Sequence, residues 1–283
     1  ATGSDSGDNA SFSIDGSNLK INSSPDYETK SSYNIRLQTT DSSGESYIEL
    51  FTLSVNDLNE APTDWILSSY YFDENIAADS TVAIISAVDV DQSDTHTFSL
   101  IDGYDQSTGN SNFYFDGNQL KIRSSPDYEN QNTYTIVVRV TDAEGSTSPV
   151  LYTFLTVNDL NESPTALTLS STSFNENIAA TSIVATLDST DVDDGDTHSY
   201  TFVSGNGDTD NDSFTIDGSN LIISSSPDYE TKSSYNIRLR TTDAGDENFE
   251  QAFTLSVIDV DEIKPVIIGP SDVSGALTSK TNI

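Results

Sequence analysis

The hexapeptide Ser-Ser-Pro-Asp-Tyr-Glu occurs three times, with its proline at positions 25, 126 and 227, so the copies stand 101 residues apart at both steps. Between 11–41 and 213–243, 27 of 31 positions are identical. The middle copy is more diverged, with Phe113-Tyr114-Phe115-Asp116-Gly117 where the last has Phe214-Thr215-Ile216-Asp217-Gly218. Spacing this regular means one structural unit is reiterated, and it constrains the fold more than any other feature. Each unit ends in an acidic run that stops at a proline. Val55-Asn56-Asp57-Leu58-Asn59-Glu60-Ala61-Pro62 is matched by Val157-Asn158-Asp159-Leu160-Asn161-Glu162-Ser163-Pro164 and, more loosely, by Val257 to Pro265. The proline holds the residue before it extended, so the run reads as a stiff join. Cutting there yields the later half of a repeat (1–61), two complete repeats (62–163 and 164–264) and the start of another (265–283).

Within a repeat the pattern has a period of two. Tyr134, Ile136, Val138 and Val140 alternate with Thr135, Val137 and Arg139; Tyr235, Ile237 and Leu239 alternate with Asn236, Arg238 and Arg240. Such strands bury one face and wet the other. Asp-Gly pairs at 15–16, 116–117 and 217–218 predict hairpin turns. About seven short strands per hundred residues predict an all-β chain of tandem β-sandwiches, with no long helix.

There are 46 Asp and Glu against 11 Lys and Arg, a formal charge of −35. Such a surface repels phosphate backbones and anionic lipid, which argues against nucleic acid and membrane-surface partners. No apolar run approaches a membrane span, so no direct membrane insertion is expected. The chain has no cysteine, and disulfides play no part in its fold. It opens Ala-Thr-Gly-Ser-Asp without Met or signal peptide, so we expect a piece of a longer or processed protein. The 13 Tyr, 12 Phe and strict alternation argue against disorder.

Carboxylates and an Asn amide packed into a stiff join make electrostatic sense when a hard cation sits there, and calcium takes six to eight such oxygens. Four acidic motifs recur in register. Phe72-Asp73-Glu74-Asn75 and Phe174-Asn175-Glu176-Asn177 come early. Asp89-Val90-Asp91 and Asp191-Val192-Asp193 follow, each ahead of Asp-Thr-His. Then comes Pro-Asp-Tyr-Glu (Asp26/Glu28, Asp127/Glu129, Asp228/Glu230), and last a Thr-Asp before a glycine turn at Asp41, Asp142 and Asp243.

With these motifs in order, nearly the whole chain resembles tandem cadherin repeats, in particular the cadherin-like domains of large bacterial surface proteins. Glu74 and Glu176 resemble the family's early glutamate, and Asp-Tyr-Glu resembles its Asp-Arg-Glu with tyrosine in the middle. The joins resemble Asp-x-Asn-Asp-Asn-x-Pro shortened by one residue. The resemblance implies immunoglobulin-like Greek-key sandwiches whose joints bind Ca2+. By position, the joint between the complete repeats would use Glu74, Asp127, Glu129, Asp159, Asn161, Glu162, Asp191, Asp193 and Asp243. The first joint would use Asp26, Glu28, Asp57, Asn59, Glu60, Asp89, Asp91 and Asp142. The third has Glu176, Asp228, Glu230, Asp259, Asp261 and Glu262 but no following Asp-x-Asp, and is expected to be empty or half-built.

Other features have plainer readings. Asp208-Thr209-Asp210-Asn211-Asp212 starts like an EF-hand loop, but Ser213 and Ser219 stand where Gly and Glu are needed, so it reads as a polar loop. His96 and His198, equivalent in the two repeats, suggest a role at strand entry, bonding to the acidic loop. Trp65 suggests core or joint packing. No nucleophile is paired with a histidine, and the carboxylate pairs come in copies, whereas an active site is normally unique. We therefore expect no enzyme, but a calcium-rigidified extracellular or cell-surface segment that adheres or acts as a spacer. Its partners would be calcium and other copies of the protein, cell-surface proteins or glycans. A carbohydrate-binding module of a secreted hydrolase, or a glycosidase, are the alternatives.

Overall fold

In the two complete repeats the alternation of the sequence becomes an alternation of burial. The computed structural model describes residues 7–261; the expected start of a further repeat at 265–283, and Glu262, lie outside them. The first segment holds β1 (Phe12–Asp15), β2 (Asn18–Ile21), β3 (Ser32–Thr40) and β4 (Ser46–Ser54). The next holds β5 (Asp64–Leu67), β6 (Tyr71–Asp73), β7 (Thr81–Val88), β8 (Thr97–Leu100), β9 (Phe113–Asp116), β10 (Gln119–Ile122), β11 (Thr133–Thr141) and β12 (Leu151–Asn158). The last holds β13 (Ala166–Leu169), β14 (Ser173–Asn175), β15 (Ile183–Thr190), β16 (Ser199–Phe202), β17 (Phe214–Asp217), β18 (Asn220–Ile223), β19 (Ser234–Thr242) and β20 (Asn248–Ile258). Short 3-10 segments at Asn9–Ser11, Ser107–Asn112 and Asn211–Ser213 are the helical elements among the described residues.

The chain divides into two compact units, 1–160 and 161–283. In the first, sheets β5-β7-β10-β9 and β6-β12-β11-β8 face each other; in the second, β13-β15-β18-β17 and β14-β20-β19-β16 do the same. Each complete repeat has eight strands rather than about seven because its leading strand is split. β5 pairs with β7, and after a Ser-Ser-Tyr kink β6 joins the other sheet in parallel with β12. The Ser69 hydroxyl caps that kink by accepting the Tyr71 N–H at 3.1 Å.

Phe72, Phe113 and Tyr134 form one buried aromatic cluster, with centroids 5.3 to 6.2 Å apart, and Phe174, Phe214 and Tyr235 form its counterpart. Each buried ring of this kind stabilises by about 1.5–3 kcal/mol relative to exposure. Trp65, 6% exposed, belongs to the hydrophobic core of the first complete repeat, the core alternative of its sequence reading. The Asp-Gly hairpins form as expected: Gly16, Gly117 and Gly218 have φ near +60°, which the tight turn requires. Val137, which the alternation assigns to water, is buried because the 101–112 segment crosses outside β11. Asn110 Oδ1 accepts the Val137 N–H at 2.9 Å.

The first segment is thinner. Its strands form two hairpins, β1-β2 and β3-β4, equivalent to β9–β12. Among its described residues Ile35 is the buried hydrophobic side chain, while Ile14, Leu50 and Phe51 are exposed.

Candidate metal centre

The first join leaves β4 extended and reaches β5 through Pro62, which is buried; Thr63 N–H then donates to Val88 O at 2.9 Å. This brings Asp57 and Glu60 of the join to Glu28, from the turn after β2, and Asp91, from the loop after β7. One oxygen of each lies within 4.8 Å of the others. Desolvation, then the charges of Asp91, Asp57, Asp26 and Asp89, push the Glu60 carboxyl above the usual range. Glu28 is held down by its own backbone amide, yet desolvation and the charges of Glu60, Asp57 and Asp91 outweigh that and raise it. Like charges held this close favour a proton or a cation among them.

A second group, Asp89, Asp94 and Asp142, gathers beside the first. Asp142 is 5% exposed; its Oδ1 accepts the Ser146 N–H at 2.7 Å and its Oδ2 the Asn59 Nδ2–H at 2.9 Å. Desolvation acts to raise Asp142, but Asn59 and the amides of Ser146, Gly145 and Glu144 hold it low. Asp89 Oδ2 lies 2.8 Å from His96 Nε2, and Asp91 Oδ2 accepts the Glu60 N–H at 2.8 Å. Asp94 Oδ2 is buried with no hydrogen-bond partner. Oxygen donors of net negative charge, including a buried acceptor without a donor, fit a hard divalent cation such as calcium.

Unit 161–283 repeats the arrangement. Asn161 Nδ2–H donates to Asp243 Oδ2 at 3.1 Å, and Glu162 N–H to Asp193 Oδ2 at 2.9 Å. Asp191 Oδ2 lies 2.9 Å from His198 Nε2, and Asp196 Oδ2 is again buried without a partner.

The early glutamates are buried, Glu74 at 2% and Glu176 at 3% exposure. Glu74 accepts the Tyr128 and Leu160 N–H groups, both at 2.8 Å, and sits within 4.8 Å of Glu129 and Asp159. Glu176 accepts those of Tyr229 and Val260, at 2.8 and 2.7 Å. Asn75 and Asn177 follow at φ near +60°, a conformation asparagine tolerates, which turns the chain while the glutamate points inward. In the third join Glu176, Glu230 and Asp259 come together, while Asp261 lies at the limit of the described residues.

The first acid of Pro-Asp-Tyr-Glu works differently from the second. Asp26 Oδ1 accepts the Thr29 N–H and Oδ2 its hydroxyl, both at 3.0 Å, and these bonds hold its carboxyl low. Asp228 does the same with Thr231, and Asp127 accepts the Asn130 N–H at 2.9 Å. These aspartates cap the turn that presents Glu28, Glu129 and Glu230.

Sequence reasoning missed Asp94 and Asp196, although their Asp-Thr-His recurs in register. It also took 208–212 for a merely polar loop. Asp210 is 9% exposed, pairs with Lys232 at 2.5 Å and accepts the Asn236 N–H, and Asn211 accepts the Arg238 N–H. The signal was the matching Asp8-Asn9 of the first segment, where Lys30 and Arg36 are the partners.

No family model matches the chain. It is 27% identical over 279 residues to Protocadherin Fat 4 of Mus musculus, covering 94% of this chain and 6% of that protein. It is 30% identical over 165 residues to Cadherin-4 of Caenorhabditis elegans, covering 54% of this chain and 4% of that protein. The fold is similar to the crystal structure of the Protocadherin GammaB4 extracellular domain, with a TM-score of 0.59, 22% identity, and coverage of 86% of this chain and 40% of that one. These relatives belong to animal cadherins, and the expected likeness to bacterial surface proteins in particular finds no support among them. The chain is a tandem of cadherin-like β-sandwich repeats.

Proposed function

We propose that this segment is an extracellular, non-enzymatic adhesion or spacer module whose joints bind calcium and stiffen when they do. The repeat borders at 61/62, 163/164 and 264/265 are part of the same proposal. The observation that carries it is the convergence of Glu28, Asp57, Glu60 and Asp91 from three separate stretches of chain. A divalent cation there would replace mutual repulsion by shared coordination and tie the turn after β2, the join and the loop after β7 into one body. Around it, Asn59 and Asp142 would fix the join to the next repeat, and Asp94 would supply a further oxygen. The cadherin relatives support an extracellular adhesion role, with other copies of the protein as partners. No helix among the described residues is long and apolar enough to cross a membrane.

Leu58, 71% exposed in the middle of the join, is the reporter. Calorimetry of the full chain with calcium should show binding at about 10⁻⁴–10⁻³ M, the range of extracellular modules. Chymotrypsin should cut after Leu58 in EGTA and be slowed in millimolar calcium, and Asp91→Asn with Glu60→Gln should abolish the protection. Absence of heat together with cleavage that ignores calcium defeats the proposal.

A further inference from the structure

We propose that His96 and His198 are positioning residues for the acidic loops. Each donates Nε2–H to the first aspartate of Asp-Val-Asp and so decides which oxygen of that carboxylate faces the cation. This rests on the calcium reading above. Both histidines immediately precede a strand, β8 and β16, and both are largely buried, at 14% and 12% side-chain exposure. Their partners Asp89 and Asp191 are 3% and 4% exposed, with Nε2 to Oδ2 distances of 2.8 and 2.9 Å. An ionised carboxylate only accepts hydrogen bonds, so the imidazole proton must lie on Nε2. The same constellation is built independently in the two units.

The chemistry explains why imidazole stands there. Asp89 has an oxygen within 4.8 Å of Asp94 and Asp142, and like-charge repulsion acts to turn it away from them. Lysine or arginine would hold it, but with a permanent charge that competes with the cation. An imidazole N–H anchored to a strand end fixes Oδ2 and leaves Oδ1, which accepts the Asp91 N–H at 3.2 Å, on the side of the acidic loop. Donors of this kind are as much part of a metal site as the ligands they orient.

The test uses the full chain with calcium chloride as the probe. Long-range proton–nitrogen spectra in EGTA should place the proton of both rings on Nε2. Calorimetry should show a loss of about tenfold in calcium affinity for His96→Phe with His198→Phe. His→Gln, whose amide nitrogen reaches the place of Nε2, should retain wild-type affinity, and His→Asn should not. Circular dichroism in EGTA checks folding; where the Phe variants do not fold, the Gln and Asn pair decides. Wild-type affinity in the Phe or Asn variants, or a proton on Nδ1, overturns the proposal and leaves the calcium reading standing. A wild-type chain with no calcium heat overturns both.

Discussion

The Asn59 side chain donates to the Asp142 carboxylate at 2.9 Å although 83 residues separate them, and Asn161 does the same to Asp243. A join residue thus holds the Thr-Asp aspartate of the repeat that follows it. Because this bond helps to hold Asp142 ionised, Asn59→Ala leaves a buried carboxylate with less support. We expect a lower melting temperature in EGTA and a weaker calcium isotherm with circular dichroism unchanged. An isotherm identical to wild type would show that Asn59 is not part of the site.

Glu74 and Glu176 should be structural as well as metal-facing. Each closes two backbone N–H groups, and truncation strands them. Glu74→Ala should cost about 3 kcal/mol in EGTA, on the order expected for buried donors left unmade. Urea unfolding measures it; a change below about 0.5 kcal/mol would mean water replaces the carboxylate without penalty.

Gly109 is where 101–112 crosses β11. A Cβ there would lie 2.7 Å from Thr135 O and 2.9 Å from Thr135 N, both backbone atoms that cannot rotate away. Gly109→Ala should therefore destabilise by about 1–3 kcal/mol, as overpacking does. Thermal unfolding in EGTA checks this without reference to calcium.

Asp210 supplies an acid-sensitive element. Desolvation acts to raise its carboxyl, but Lys232 and the Asn236 amide outweigh that and hold it below the usual carboxylate range. A depressed folded value adds stability above the unfolded value, about 3.9, and that stability is lost as pH falls through the folded value. Asp210→Asn should thus be less stable than wild type at neutral pH, with the difference shrinking in acid. A difference that stays constant down to acid unfolding would contradict the ion pair with Lys232.

The first segment should not stand alone. β1–β4 have no counterparts of β5–β8 among the described residues, so each sheet of the sandwich keeps two of its four strands and the core between them is left half-covered. A peptide of residues 1–61 should show neither a cooperative melt nor dispersed amide signals, whereas 62–264 should melt cooperatively. A cooperative transition in the peptide would overturn the proposed repeat borders.

Much was legible because the repeat prints its chemistry in register. Period-two alternation assigned Tyr134, Ile136 and Val138 to a core, since a strand presents successive residues to opposite faces and only apolar ones gain from burial. The Asp-Gly turns were legible because so few residues accept positive φ. The acidic motifs could be aligned, but alignment treats all carboxylates alike. It did not separate Glu28, which joins the cluster, from Asp26, whose two oxygens cap a turn.

The sequence by itself determined the unit, its β character and most of the acids available to a cation, Asp94 and Asp196 excepted, because these depend on local periodicity and composition. Tertiary structure alone decided which acids meet, that Val137 is covered, that Asp210 is an ion-paired anchor, and that His96 faces Asp89. His96 and Asp89 are seven residues apart in one loop, but the other outcomes depend on segments more than twenty residues apart arriving at one point. Coulomb repulsion and hydrogen-bond geometry act over a few ångströms of space, whatever the separation in sequence.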